Sequence, residues 1–124
     1  MFLYVKITTD KDKKSTAYHC ASCGAFITDS ASWLTLNGSV SHSFVNPSRV
    51  RCDFMTFIDC DNILEHDELF MEHSWFPGYG WRFITCRICF QHLGWKYDAV
   101  TDEANPSEFF GVLVSSVKPV NHDE

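Results

Sequence analysis

The sequence predicts a mainly β domain of short antiparallel strands closed around a metal site. Three observations predict it. Apolar and polar residues alternate over short runs, as where Trp81, Phe83 and Thr85 interleave with Arg82, Ile84 and Cys86, which is the period of a strand. Turn signals separate the runs, with Asn37-Gly38 and Pro77-Gly78 the strongest. Two Cys-x-x-Cys pairs, Cys20 with Cys23 and Cys86 with Cys89, lie far apart in a chain without a long amphipathic helix.

At 124 residues and 45 % apolar, the chain suits one domain, large enough to bury a core and small enough to gain from a metal staple. Its formal charge of -6, with ten scattered Lys and Arg, opposes the basic footprint of a nucleic-acid binder, so no nucleic-acid partner is expected. No membrane association is expected either. No run approaches the roughly 18 apolar residues of a spanning helix, and residues 1–5 are too few for a signal-peptide core before Lys6 interrupts them.

Taken in order, residues 1–17 read as a flexible lead-in, charged around Lys11, that frays before about Tyr18. The first metal knuckle follows at Cys20 and Cys23, with Gly24 free to make the tight turn. Residues 25–27 leave it as a short strand. Residues 33–36 read as another, ending at Asn37-Gly38, and 40–45 return from that turn. Asn46-Pro47 ends the return, because the residue before proline is pushed out of the helical region. Val50, Cys52 and Phe54 alternate with Arg51, Asp53 and Met55 in a strand that continues to Ile58. Residues 59–72 are acidic but lack a spaced ligand loop with its glycine, so they read as a solvated face.

The stretch from His73 to Trp81 organises the rest. Pro77-Gly78 fits the centre of a type II turn and folds the chain back between Trp75 and Trp81. The strand carrying Trp81 feeds the second knuckle, and a return strand places Trp95, Tyr97 and Ala99 on one face with Lys96 and Asp98 on the other. Such a hairpin makes Trp81 and Trp95 approximate cross-strand neighbours, with Trp75 as a third wall. Residues 101–107 form a polar loop, 109–114 the final core strand and 118–124 a tail.

Four thiolates at Cys20, Cys23, Cys86 and Cys89 suit one tetrahedral zinc, and a filled shell makes it structural rather than catalytic. His19 and His92 flank the knuckles and could replace a cysteine or support the ligands from behind, but four sulfurs already complete the shell, so they are not the expected ligands. Cys52 and Cys60 read as small buried hydrophobes, with a disulfide between them open in an oxidising compartment. The gathered aromatics suit either plain core or a box for a flat or cationic small ligand, with His73 and Ser74 offering the polar contacts. No base and nucleophile are paired, so the chain is not expected to be an enzyme.

The run from Glu72 to Trp81, then Cys86-Arg87-Ile88-Cys89, then His92-Leu93-Gly94-Trp95-Lys96-Tyr97 closely resembles the CULT domain family, the thalidomide-binding domain of cereblon. Asn46-Pro47 and Phe109-Phe110-Gly111 fit as well, and the resemblance covers residues 18–117. It implies a β-tent fold, two antiparallel sheets meeting near a structural four-cysteine zinc. It also implies a cage of Trp75, Trp81 and Trp95 around a glutarimide or similar cyclic imide, with Tyr97 where the family usually has phenylalanine. Backbone at His73 and Trp75 and the histidine side chain read the imide edge, beside Ser74, and Asn46 borders the pocket from a neighbouring loop. Implied partners are cyclic imides of the thalidomide type, proteins with C-terminal cyclic imides, and uridine-like rings. A ubiquitin-ligase link follows only for a chain excised from a full-length cereblon, which would be cytoplasmic or nuclear; a stand-alone member could be secreted. The chain departs from the pattern at Ser48-Arg49, where the family often has a residue followed by glycine.

Two other readings share the fold. Methionine-R-sulfoxide reductases have the tent and paired knuckles but need a later nucleophilic cysteine, and none follows Cys89. The blander alternative is a zinc-stabilised scaffold with no ligand.

Overall fold

A computed structural model describes residues 15–122 and is mainly β, as expected. Nine strands follow in order: β1 Ser15–Cys20, β2 Phe26–Asp29, β3 Ser41–Val45, β4 Arg51–Phe57, β5 Ile63–Glu65, β6 Tyr79–Cys86, β7 His92–Ala99, β8 Glu108–Leu113 and β9 Val117–His122. They form two antiparallel sheets. One has three strands in the order β2-β1-β9, the other six in the order β3-β4-β8-β7-β6-β5.

The larger sheet is buried on both faces, because side chains alternate along each strand. One face carries Phe44, Phe54, Trp95, Tyr97 and Phe109, and the loop residues Trp75 and Phe76 fold over it to complete an aromatic cluster. The other face carries Ile84, Phe110 and Val112, packed with Tyr18, Ile27 and Val117 of the smaller sheet. Cys20 and Cys86 sit in this second cluster, so the metal knuckles lie where the two sheets meet. Toward the solvent end of that face, Lys96 Nζ lies 3.2 Å from Glu65, 3.3 Å from Asp98 and 3.0 Å from Glu108, linking β5, β7 and β8.

The expected lead-in and tail are corrected by one pairing. β9 runs antiparallel to β1 from Ser15 opposite His122 to Cys20 opposite Val117. Residues 15–17 and 118–122 are therefore strand, and β8 is not the last one; residues 1–14 of the expected lead-in lie outside the described residues. Pro119 disguised β9 in the sequence. It is tolerated because β9 is an edge strand, where a missing N–H breaks no central ladder.

Residues 33–36 are not a strand. They cross the end of β4, with Leu34 N–H donating to Thr56 O at 2.9 Å and Ile58 N–H to Ser32 O at 2.8 Å, and only isolated bridges at Trp33 and Leu36. The Asn-Gly turn itself forms as expected. Asn37 and Gly38 have φ of 52° and 83°, and Leu36 and Ser39 exchange hydrogen bonds of 2.9 and 3.0 Å across it. Within the acidic segment a short strand, β5, pairs with β6, while most of the flanking residues stay exposed.

Candidate metal centre and aromatic cleft

The two knuckles repeat one hydrogen-bond pattern. Cys20 N–H donates to Ala25 O and Gly24 N–H to Cys20 O, both at 2.8 Å, while Cys86 N–H donates to Gln91 O at 2.8 Å and Phe90 N–H to Cys86 O at 2.9 Å. The left-handed residue that closes each turn is Gly24 in the first, with φ of 84°, and Phe90 in the second, with φ of 66°. Both turns aim their cysteines at one point. Cys20 and Cys89 sulfurs lie 3.5 Å apart, Cys23 and Cys86 sulfurs 3.6 Å, and all four lie within 4.8 Å of one another.

Four sulfurs about 2.3 Å from a tetrahedral ion would stand about 3.8 Å apart, so the cluster has the size a metal needs. Its electrostatics ask for a cation as well. A backbone hydrogen bond from Gln91, opposed by burial, brings the Cys89 thiol down to about 7. Cys23 has a similar backbone bond from Ala25, yet burial and the neighbouring sulfurs push it up to about 12. Sulfurs this close cannot all ionise without a positive charge between them. Neither flanking histidine joins the cluster: His19 Nδ1 pairs with Gly24 O at 2.9 Å and His92 Nε2 with Gly94 O at 3.0 Å.

On the opposite face of the larger sheet a cleft of about 490 Å³ is lined by Asn46, His73, Trp75, Trp81, Trp95 and Tyr97, all singled out in the sequence. Its walls are braced from behind. Trp75 stacks on Phe44 at 5.1 Å and on Phe54 at 5.6 Å and meets Trp95 edge-on at 5.5 Å. Trp81 stacks on Phe70 at 4.6 Å, and its Nε1 donates to Glu72 O at 2.8 Å. His73, which begins the wall carrying Trp75, holds a left-handed φ of 59°. A non-glycine residue keeps that conformation only where its surroundings hold it.

Ser74 does not line the cleft. Its hydroxyl donates to Phe76 O at 3.1 Å and accepts from Phe76 N–H at 3.3 Å, clipping the loop in place. Asn46 does line it, but its Oδ1 accepts from Ser48 and Val50 N–H, both at 2.9 Å, and so shapes the rim. Arg49 in that rim has φ of 68°, the conformation a glycine would adopt, which keeps the loop tight despite the departure in sequence.

Several lining residues were missed, among them Cys52, Phe83, His92 and Ser115. Cys52 and Phe83 share the period-two faces of Phe54 and Trp81, so alternation alone pointed to them. His92 and Ser115 enter through irregular backbone, beside the bulge between Ile84 and Thr85 and after the end of β8, where no periodic signal exists. Burial lowers the His92 imidazole and raises the Tyr97 phenol, and it raises the Cys52 thiol with help from Asp53. At neutral pH these three side chains are uncharged hydrogen-bonding groups set among aromatic rings, and Arg51, paired with Asp53 at 3.0 Å, adds a cation to the lining. Cys52 and Cys60 are both free, one in each core cluster, so no disulfide joins them.

The family described as Yippee zinc-binding/DNA-binding /Mis18, centromere assembly, matches residues 16–124. Among curated proteins, the chain is similar to protein cereblon of Gallus gallus, 36% identical over 86 residues that make up 69% of this chain and 19% of the relative. Protein cereblon of Xenopus tropicalis is 34% identical over 86 residues, again 69% of this chain and 19% of the relative. That of Drosophila willistoni is 51% identical over 47 residues, 38% of this chain and 8% of the relative. The chain thus spans about a fifth or less of the length of these relatives. With its sulfur cluster at the meeting of two antiparallel sheets, the chain belongs to the Yippee/Mis18 family and, within it, to the CULT domains of the cereblon type.

Proposed function

We propose that this chain is a non-enzymatic binding domain, held by one structural zinc, whose cleft takes cyclic imides through their N–H and carbonyl edge. The observation that carries the reading is the cleft itself: three tryptophans around 490 Å³, with the hydrogen-bonding side chains of Cys52, His92 and Tyr97 among them and Arg51 in the lining. A flat, neutral, polar ring suits such walls, because stacking rewards its faces while fixed donors and acceptors select its edge. The left-handed backbone at His73 supports the assignment of the edge contacts to residues 73–75. Glutarimides of the thalidomide type, C-terminal cyclic imides on proteins and uridine-like rings all present that edge.

Zinc suits four thiolates at tetrahedral spacing, and the filled shell leaves it no substrate position. The charge of -6 weighs against a DNA role for this member. A ubiquitin-ligase role belongs to the reading only if the chain forms part of a longer cereblon-type protein. Isothermal titration with glutarimide, run on the protein and on W81A and W95A, tests the reading. Affinity should fall by about 2 kcal/mol or more in both variants while zinc per chain stays constant; affinity retained in both would refute the cage.

A further inference from the structure

We propose that Cys52 makes this cleft a covalent trap for unsaturated cyclic imides, rings of the maleimide type that carry the imide edge and an electron-poor alkene together. The inference rests on the imide reading above. Cys52 lies on β4 between exposed Arg51 and Asp53, and strand alternation turns its side chain to the cleft face beside Phe54. It is buried, lines the cleft, and its thiol makes only a long contact with Val50 O, 3.7 Å.

A second group in the same wall points to a ligand independently. Tyr97 is 2 % exposed and lines the cleft. Its hydroxyl has no hydrogen-bond partner among the described residues, yet no fully enclosed side-chain polar atom there lacks one. The hydroxyl therefore keeps some open surface, and the space that Tyr97 lines is the cleft. Burial keeps it protonated, so it is a donor waiting for an acceptor.

A ring tilted in the cage so that its imide N–H meets the loop at residues 73–75 turns its opposite edge, together with one of its two carbonyls, toward the sheet, where Cys52 and Tyr97 stand. In maleimide that opposite edge is the alkene. The step balances without a co-reactant: sulfur forms a bond to one alkene carbon, the π bond breaks, and the thiol proton ends on the neighbouring carbon, leaving a thio-substituted succinimide. A hydrogen bond from the Tyr97 hydroxyl to a ring carbonyl would draw charge from the alkene as the bond forms. Thiolate is the attacking form, and burial holds the Cys52 thiol protonated at neutral pH, so capture depends on holding the ring in place.

The test is to treat the full zinc-loaded chain with unsubstituted maleimide or N-ethylmaleimide at neutral pH, with and without saturating glutarimide, and to map adducts by peptide mass spectrometry. Tryptophan quenching by glutarimide is measured on the same sample. The expected result is a single adduct at Cys52, formed at least about tenfold faster with unsubstituted maleimide, as proximity of a bound ring allows. Glutarimide suppresses it, C52S lacks it, and Cys60, outside the cleft, reacts only after denaturation. Glutarimide quenching without an adduct at Cys52 overturns the trap alone, as does an adduct that forms equally with both maleimides and is not protected. Absence of any glutarimide response overturns the imide reading beneath it.

Discussion

Trp81 stands directly across the β6–β7 ladder from Tyr97, and the residue opposite Trp95 is Phe83. Counting outward from the knuckle had made Trp81 and Trp95 approximate neighbours. The bulge between Ile84 and Thr85 shifts the register, so the two tryptophans sit on a diagonal with an opening between them. Trp81 is partly buried against the cluster but is anchored from outside it, by stacking on Phe70, an edge-on contact with Phe83 and a hydrogen bond to Glu72 O.

It follows that Trp81 can be removed without collapsing the cleft. W81A should lower glutarimide affinity by about 2 kcal/mol or more, the scale of a buried aromatic hot spot. Its melting temperature should fall less than that of W95A, since Trp95 is buried against Phe54, Trp75 and His92. Calorimetric binding and thermal melts on both variants check the pair.

Two glycines let β8 lie close to its neighbours. A Cβ at Gly94, where φ is 148°, would stand 2.0 Å from Gly111 O, a backbone atom that cannot move aside. At Gly111 it would meet Phe54 Cδ2 at 3.0 Å and Tyr97 Cε2 at 3.4 Å, which are ring edges able to shift slightly. G111A should therefore cost about 1–3 kcal/mol, as overpacking does, and distort the cage floor. G94A should not reach a native fold. Urea unfolding of the zinc-loaded proteins distinguishes the two.

Metal removal should unfold the domain rather than loosen it. The sulfur cluster ties β1 to β6 across the meeting of the sheets, and binding a structural zinc is worth about 10 kcal/mol or more. That is comparable with the whole stability of a domain of this size. A strong chelator, or C86S, should abolish both the zinc signal and the β-type circular dichroism, and acid should do the same as protons compete for the thiolates.

His42 gives a separate acid dependence. Its ring is stacked 5.4 Å from Phe54 and meets Phe76 edge-on at 5.5 Å, with Nε2 3.2 Å from Thr56 Oγ1. Burial lowers its pKa from 6.5, so the folded state prefers the neutral ring while the unfolded chain binds a proton more readily. The sign follows from linkage. Stability from this group is full above about pH 6.5 and is lost as pH falls from there toward the depressed folded value. H42F should have lower stability at pH 7 but a shallower decline between pH 7 and 5, read from melting temperatures at matched zinc saturation.

The sequence displayed what is periodic or rigid. Paired knuckles, the turns at Asn37-Gly38 and Pro77-Gly78 and the alternation of β4, β6, β7 and β8 were all visible, because turn chemistry and burial on one face leave local marks. It hid what depends on a partner strand. β9 carries Pro119 and polar ends and becomes a strand only through pairing with β1. The cleft was visible through its tryptophans, whereas His92 and Ser115 arrive through a bulge and a turn that tertiary packing decides.

The central claim, an imide-reading cage, is tested most directly by titrating the zinc-loaded protein with glutarimide and with N-methylglutarimide while following tryptophan emission. The account predicts saturable quenching by glutarimide and none by the methylated ring, whose edge no longer offers a hydrogen. An equal response to both rings, or none from a folded, zinc-loaded protein, would contradict it.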